Sequence, residues 1–188
     1  SLVALGRDTR LLREIVALTA ARIPRDLAGQ PEVEADLRRT LGSVYFNLGE
    51  FDDAASMFQA ELALRRLRSR EENADIARAL SSLGAALGRD GKLSEAEARI
   101  REALAIEQRL FGQEHSEVAG VLGNLALVLA RQNRTSEAAD TARAALAMQR
   151  RLLGDESPEV AVSLNRLGTV LEQAGRLDDA IASFREAL

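Results

Sequence analysis

The 188-residue sequence contains no cysteine, no tryptophan and only three prolines. The absence of cysteine excludes a disulfide framework, a thiol nucleophile and a thiolate metal site. Aromatic residues make up 3% of the chain and hydrophobic residues 46%, so a core must be built mainly from Ala, Leu, Val and Ile. Because Ala and Leu are strong helix formers and few prolines interrupt them, this composition predicts an all-α protein.

The chain also lacks a large excess of charge of either sign, since 25 basic and 29 acidic residues give a net charge of -4. This balance argues against a general nucleic-acid or anionic-membrane binder. The longest apolar stretch, residues 119–130, is too short to cross a bilayer and contains Asn124. The lack of cysteine suits the reducing cytoplasm, so we expect a cytoplasmic protein. The chain begins without Met or a signal pattern and stops inside a helical pattern, so we interpret it as part of a longer array.

A period of 42 residues runs through the chain, because the turns at 48–54, 90–96, 132–138 and 174–180 align at this offset. The same offset aligns Leu41, Leu83, Leu125 and Leu167, and it aligns Ala54, Ala96, Ala138 and Ala180. It predicts four units, at residues 31–72, 73–114, 115–156 and 157–188, with the last truncated in its second helix. Residues 1–30 are predicted to end a preceding unit, with a helix at about 9–23 that Pro24 stops.

Each unit contains two helical patterns joined by a short turn. In the first helix of the third unit, apolar residues recur at spacings of three and four and form one stripe. These residues are Val118, Val121, Leu122, Leu125 and Leu129. For the second helix, Ser94 and Glu97 predict a capping box. Gly112 and Gly154 are predicted to end second helices as left-handed C-caps. The positions equivalent to Ser94 hold Asp52, Ser136 and Asp178.

The repeated pattern resembles the tetratricopeptide repeat. Unit one carries it as Leu41, Gly42, Tyr45, Ala54 and Phe58, and unit four as Leu167, Gly168, Leu171, Ala180 and Phe184. Small residues at the glycine and alanine positions let two antiparallel helices approach closely. The 42-residue length is similar to that of the kinesin light chain variety, as are the junctions "LFGQEHSEVA" at 110–119 and "LLGDESPEVA" at 152–161.

The resemblance implies a right-handed α-solenoid of stacked antiparallel helix pairs, whose first helices line a concave groove. Carried onto this sequence, the family's groove positions are Arg39, Thr40, Ser43, Asn47, Arg78, Ser81, Ser82, Ala85, Arg89, Gly123, Asn124, Leu127, Arg131, Asn165, Arg166, Thr169 and Gln173. Five of them are arginines, while the same helix positions hold two acids, Asp36 and Glu172, so we expect a locally basic groove. Such a groove would suit an acidic or carboxylate-bearing peptide. The alternative is that these arginines form a solvated face whose stems cover apolar surface.

Enzyme chemistry has little support in the sequence. The single histidine, His115, occupies the position of Asn73 and Ser157 in other units, just before a first helix, so we interpret it as an N-cap and not as a general base. Residues 86–93 superficially resemble a phosphate loop but lack its first glycine and its Ser/Thr. We therefore predict no catalytic residue, no metal site and no cofactor.

The leading hypothesis is a non-enzymatic scaffold that binds a protein partner or peptide, possibly an acidic one, in the groove. An alternative is the regulatory or docking arm of a larger signalling protein such as a bacterial serine/threonine kinase. RNA binding is less favoured, because the chain is acidic and has few aromatic residues for base stacking. The truncated last unit predicts end-to-end self-association. Joint charge reversal of Arg89, Arg131 and Arg166 is expected to abolish partner capture with helicity intact.

Overall fold

The computed structural model describes residues 2–69 and 71–188, with side chains from residue 9 onward. In these residues the chain forms nine α-helices and no strand. The helices are α1 (Leu2–Asp26), α2 (Pro31–Leu48), α3 (Phe51–Arg68), α4 (Ala74–Arg89), α5 (Leu93–Phe111), α6 (Ser116–Arg131), α7 (Thr135–Leu153), α8 (Pro158–Gln173) and α9 (Leu177–Glu186). The all-α class expected from the composition is therefore confirmed, and so is the α-solenoid that the resemblance implies.

The helices pack as four antiparallel pairs, α2 with α3, α4 with α5, α6 with α7 and α8 with α9. The second helix of each pair also packs against the first helix of the next pair. Successive first helices α4, α6 and α8 contact one another directly, which places them on the inner side of the stack. The unit boundaries within the loops, and the self-association at the C-terminal end, stay predictions.

Glycines at one repeat position of the first helices allow close packing in three of the four pairs, and the third pair has Ala126 there. A Cβ atom on Gly42 would lie 2.7 Å from the Phe58 ring, and one on Gly168 would lie 2.5 Å from the Phe184 ring. The alanines at the start of the second helices, including Ala54 and Ala96, are fully buried. At these repeat positions, the side chains of the second helix pack directly against the backbone of the first.

The first helix is longer than the predicted segment 9–23. It runs from Leu2 to Asp26 and includes Pro24. The backbone N–H of Leu27 still donates to the Ile23 carbonyl, so the helical turn continues past the proline. Proline removes only its own N–H donor, and this loss is tolerated so near the end of a helix.

The capping box predicted at Ser94 and Glu97 is wrong, and so are the equivalent caps at Asp52, Ser136 and Asp178. The second helices begin earlier, with Glu50, Lys92, Arg134 and Arg176 in the N-cap place and no side-chain cap hydrogen bond. In the second pair, Gly91 has a positive φ and the Lys92 N–H donates back to the Leu87 carbonyl. The turn between α4 and α5 is therefore shorter than the capping pattern predicts. The first hydrogen bond of α5 runs from the Ala96 N–H to the Lys92 carbonyl.

Glu97 instead joins the second and third pairs. Burial raises the pKa of its carboxyl, but hydrogen bonds from Gln132, Arg101 and Arg134 outweigh this and lower the pKa to about 2. Gln132 and Arg134 come from the turn of the next pair, with donor–acceptor distances of 2.9 Å to the Glu97 carboxylate. A residue predicted to cap its own helix therefore holds two successive pairs together.

Gly112 and Gly154 end their helices with positive φ, as predicted, but they do not form left-handed helical caps. Their φ/ψ values are 84°/−178° and 80°/164°. This combination is accessible almost exclusively to glycine, because a Cβ would clash with the neighbouring peptide groups. The two glycines therefore turn the chain outward into the loop before the next first helix.

Candidate functional site

The first helices enclose a cavity of about 440 Å³ on the inner side of the stack. Its predicted groove residues are Ser43, Asn47, Ser82, Ala85, Arg89, Asn124, Leu127, Arg131 and Arg166, from α2, α4, α6 and α8. The cavity is completed by Phe46, Phe58, Gly88 and Val128. Residues that lie far apart in the sequence thus form one concave surface with apolar and basic parts.

The other predicted groove residues lie outside this cavity. Ser81 is buried and accepts a hydrogen bond of 2.9 Å from the Asn124 amide, so it joins α6 to α4. Gly123 is buried beneath the Arg166 side chain. Thr40 lies exposed on α2 and donates to the Asp36 carbonyl. On α8, the Thr169 hydroxyl donates to the Asn165 carbonyl, and Asn165 and Gln173 are exposed.

Two of the five predicted groove arginines have acidic partners. Arg39 lies 3.5 Å from Asp36 and 3.9 Å from the buried Glu61. Arg78 lies 3.1 Å from Asp75, one turn earlier on α4. Each of these two arginines therefore has at least one acidic side chain within 4.0 Å. The basic character expected of the whole groove is confined to a smaller region.

The three arginines that line the cavity have no carboxylate within 4.0 Å among the side chains of residues 9–69 and 71–188. Among the side chains that the structure describes, every other Lys and Arg except Arg185 has one. No acidic residue in this part of the chain lines the cavity. Unbalanced positive charge is thus concentrated at Arg89, Arg131 and Arg166.

Arg166 and Arg131 are held by backbone carbonyls of the preceding helix pair. Arg166 Nη1 donates to the Gly120 carbonyl at 3.2 Å, and its stem lies so close that a Cβ on Gly123 would be 2.9 Å from it. Burial lowers the pKa of Arg166, because little water remains to solvate the guanidinium. Arg131 Nη1 donates to the Gly88 carbonyl at 3.1 Å, at the C-terminal end of α4. Both arginines retain further N–H groups, since a guanidinium has five.

Arg89 is held differently, by an aromatic ring. Its guanidinium carbon lies 4.8 Å from the centre of the Phe51 ring, and the Phe46 ring packs edge-on against Phe51 with centroids 5.4 Å apart. Arg89 itself is exposed. The cavity therefore has a cation held over an aromatic pair at the end nearest α2.

Sequence reasoning missed the aromatic residues around the cavity, Phe46, Phe51 and Phe58. The groove positions come from first helices alone, whereas Phe51 and Phe58 belong to α3. Phe58 was assigned only to the repeat pattern. A signal was available, because four of the six aromatic residues fall between residues 45 and 58.

His115 has the predicted capping role. Its Nδ1 accepts a hydrogen bond of 3.3 Å from the Glu117 N–H, and its ring stacks on Phe111 with centroids 4.4 Å apart. At the starts of α4 and α8, Asn73 and Ser157 also accept cap bonds, but from the N–H groups of Ile76 and Val160, three residues further on. Among the described residues, no group of three or more His, Asp or Glu side chains could hold a metal ion.

Replacing His115 with Ala should lower the free energy of unfolding by about 0.5–1 kcal/mol, because the first turn of α6 loses its cap. His115→Asn should retain the stability of the parent protein, since Asn73 caps α4 from the same position of the repeat. Urea unfolding followed by circular dichroism measures both variants. Equal loss in the two would assign the effect to the stack on Phe111 and not to the cap.

No helix in the described part of the chain has the length and apolar character needed to cross a membrane.

No curated protein sequence matches this chain at a significant level. Three overlapping segments, at residues 33–109, 75–151 and 117–188, match the family model described as tetratricopeptide repeat.

Solved structures are similar over almost the whole chain. BtubC (BKLC) from P. vanneervenii is 25% identical with a TM-score of 0.70, over 96% of this chain and 72% of that one. A putative kinesin light chain from Podosopora anserina with nearly identical TPR-like repeats is 18% identical with a TM-score of 0.66, over 97% and 84% of the two chains. MamA is 17% identical with a TM-score of 0.57, over 96% and 91%. Its structural neighbours thus include kinesin light chain-like repeat proteins. The chain belongs to the tetratricopeptide repeat family, whose repeats are generally protein–protein interaction scaffolds.

Proposed function

We propose that this chain is a non-enzymatic interaction module that binds a segment of a partner protein in the cavity, with an acidic side chain of the partner facing Arg89, Arg131 and Arg166. One observation carries the proposal. These three arginines are the cavity's charged residues, and none has an acidic partner within the described chain. A ligand carboxylate would supply the missing charge.

The part-buried position of Arg166 makes an anionic ligand favourable. A guanidinium that has lost solvation and has no counter-ion is a poor arrangement for the free protein. A carboxylate can accept two parallel N–H bonds from one guanidinium, and hydrogen bonds to charged groups are worth about 1.5–3 kcal/mol each. Because Nη1 of Arg166 donates a hydrogen bond to the Gly120 carbonyl, a ligand would accept hydrogen bonds from the other guanidinium nitrogens of Arg166.

The apolar residues of the cavity favour a partner segment that also carries apolar side chains. Phe46, Phe58, Leu127 and Val128 line the cavity beside the arginines. Burial of apolar surface would supply affinity, at about 25 cal/mol per Å², and the arginines would select for charge. Asn47 and Asn124 lie on the same surface and can bond the peptide backbone.

The test uses fluorescein-labelled peptides of alternating leucine and glutamate, with leucine–glutamine and leucine–lysine peptides as controls. Fluorescence anisotropy should show that the glutamate peptide binds most tightly and that added salt weakens its binding. Equal binding of the glutamate and lysine peptides would contradict the proposal.

Arg89→Glu should weaken binding of the glutamate peptide by about tenfold, because it replaces attraction by like-charge repulsion. The matched control is Arg185→Glu, since Arg185 is also exposed and has no acidic partner in the described part of the chain, but lies on α9, outside the cavity. Arg185→Glu should bind like the parent protein. If both variants lose the same affinity, net charge and not the cavity attracts the peptide.

The joint reversal of Arg89, Arg131 and Arg166 is a poorer experiment than the sequence suggests. Arg131 and Arg166 each donate to a carbonyl of the preceding pair, so their replacement would also disturb the stacking of first helices. Arg89 makes no such hydrogen bond, and it is therefore the residue at which charge can be changed with least effect on the fold.

A further inference from the structure

Phe51 holds Arg89 in a way that has no counterpart in the other helix pairs. The residues equivalent to Phe51 at the 42-residue offset are Leu93, Thr135 and Leu177. None of these has an aromatic ring. The cation–π contact between the first and second pairs is thus a local feature and not part of the repeat pattern.

Arg131 provides an internal comparison, because it is the equivalent of Arg89 one pair later. One repeat later, the position of Phe51 is occupied by Leu93, so Arg131 has no aromatic ring at this position. Arg131 donates to the carbonyls of Gly88 and Arg89, at 3.1 Å and 3.5 Å. The corresponding carbonyls for Arg89 are those of Phe46 and Asn47, but Arg89 lies over the Phe51 ring.

Two neighbours fix the geometry of this contact. The Phe46 ring packs against Phe51 at an interplanar angle of 69°, which restrains the ring that carries the cation. The Arg131 guanidinium bonds the backbone carbonyls of Gly88 and Arg89, which restrains the end of α4 from which Arg89 projects. An arginine held in one orientation loses less conformational entropy when it binds a ligand.

We infer that Phe51 is a positioning residue of the peptide site: its ring keeps the Arg89 guanidinium away from the backbone carbonyls of α2 and available to an acidic side chain in the cavity. The inference rests on the proposed function. Phe51 does not line the cavity itself, so it acts through Arg89. Without the aromatic ring, Arg89 is expected to bond the Phe46 or Asn47 carbonyl as Arg131 bonds Gly88.

The experiment measures binding of the leucine–glutamate peptide to Phe51→Leu, Phe51→Tyr, Arg89→Gln and the double variant Phe51→Leu/Arg89→Gln. Phe51→Leu should weaken binding about two- to fivefold, because an exposed cation–π contact contributes about 0.5–1 kcal/mol. Phe51→Tyr keeps the ring and should bind like the parent protein. In the Arg89→Gln background, Phe51→Leu should have no further effect.

The variants separate positioning from a purely structural role. Leucine occupies the equivalent positions 93 and 177, so Phe51→Leu should fold, and urea unfolding checks its stability. Unchanged affinity in Phe51→Leu, or the same loss with and without Arg89, would overturn the inference while leaving the proposed function in place. If the parent protein does not prefer the glutamate peptide over the glutamine peptide, the proposed function fails, and the inference fails with it.

Discussion

Gly84→Ala is expected to lower the free energy of unfolding by about 1–3 kcal/mol, although alanine is the better helix former. The new Cβ would lie 2.4 Å from Ile100 Cγ1 and 3.1 Å from the Ala96 carbonyl oxygen. Ile100 is fully buried and the other atom belongs to the backbone, so neither can move aside freely. The helices α4 and α5 would have to separate, and the core between them would lose contact.

Gly120→Ala is the matched control for this prediction. Gly120 also lies within a first helix, α6, but a Cβ added there would meet no atom within 4 Å. It should therefore raise stability by about 0.5–1 kcal/mol through helix propensity alone. The difference between the two variants isolates the effect of the close approach.

Urea unfolding followed by circular dichroism at a single pH measures both glycine variants. The double variant Gly84→Ala/Ile100→Ala should be less destabilised than the sum of its single changes, because Ile100→Ala removes the atoms that the new Cβ would meet. If Gly84→Ala is as stable as Gly120→Ala, the pair tolerates the extra methyl group, and close backbone approach does not explain the repeat's glycine.

Raising the pH from 5 to 8 should destabilise the protein by up to about 3 kcal/mol through Glu61 alone. Glu61 lies on α3 and is 1% exposed. Burial raises the pKa of its carboxyl from 4.5 to about 7, although Arg65 and Arg39 favour the charged form. Their Nε atoms lie 3.8 and 3.9 Å from Oε1, too far for hydrogen bonds, and Oε2 has no partner among the described residues.

The direction follows from proton binding. Between pH 4.5 and 7 the folded protein keeps a proton on Glu61 that the unfolded chain releases. The folded state is therefore favoured at the acidic end of this range, and that advantage is lost as the pH rises through 7. The other charged groups around Glu61 are Arg78, which favours ionisation, and Asp36, which opposes it.

Glu61→Gln should remove this dependence, because glutamine stays neutral while keeping a similar shape. It should be more stable than the parent protein at pH 8 by about 1–3 kcal/mol and similar to it at pH 5. Glu95→Gln, at an exposed position on α5, should keep the parent's pH profile. Urea unfolding at several pH values gives the comparison. A parent profile as flat as that of Glu61→Gln would mean that Glu61 is ionised throughout.

Local features of the fold could be predicted because they depend on residues close together in the sequence. His115 caps α6 through a bond to Glu117, two residues away. Gly42 contacts the Phe58 ring within the first helix pair, and Gly168 contacts the Phe184 ring in the same way within the fourth. The cap at Ser94 could not be predicted correctly, because the turn before it closes by a hydrogen bond from Lys92 to Leu87 that the capping pattern does not include.

The burial of Glu61 could not be predicted from the repeat pattern. The 42-residue offset places Ala103 and Ala145 in its position, and both are buried core residues. The pattern therefore predicts a small apolar residue, and nothing in it says that the glutamate stays buried between Arg39 and Arg65. Its raised pKa follows from the packing of α2, α3 and α4.

The sequence by itself determined the all-α class through its composition and the 42-residue repeat through the offset between its turns. The helix on which each groove residue lies follows from the spacing of apolar residues within each unit. Only the tertiary structure decided which groove arginines lie close to acidic side chains. Arg39 and Arg78 have acids close by, whereas Arg89, Arg131 and Arg166 meet at a cavity with none in the described chain. That difference depends on which side chains of neighbouring helix pairs come within about 4 Å, a distance that one-dimensional spacing does not contain.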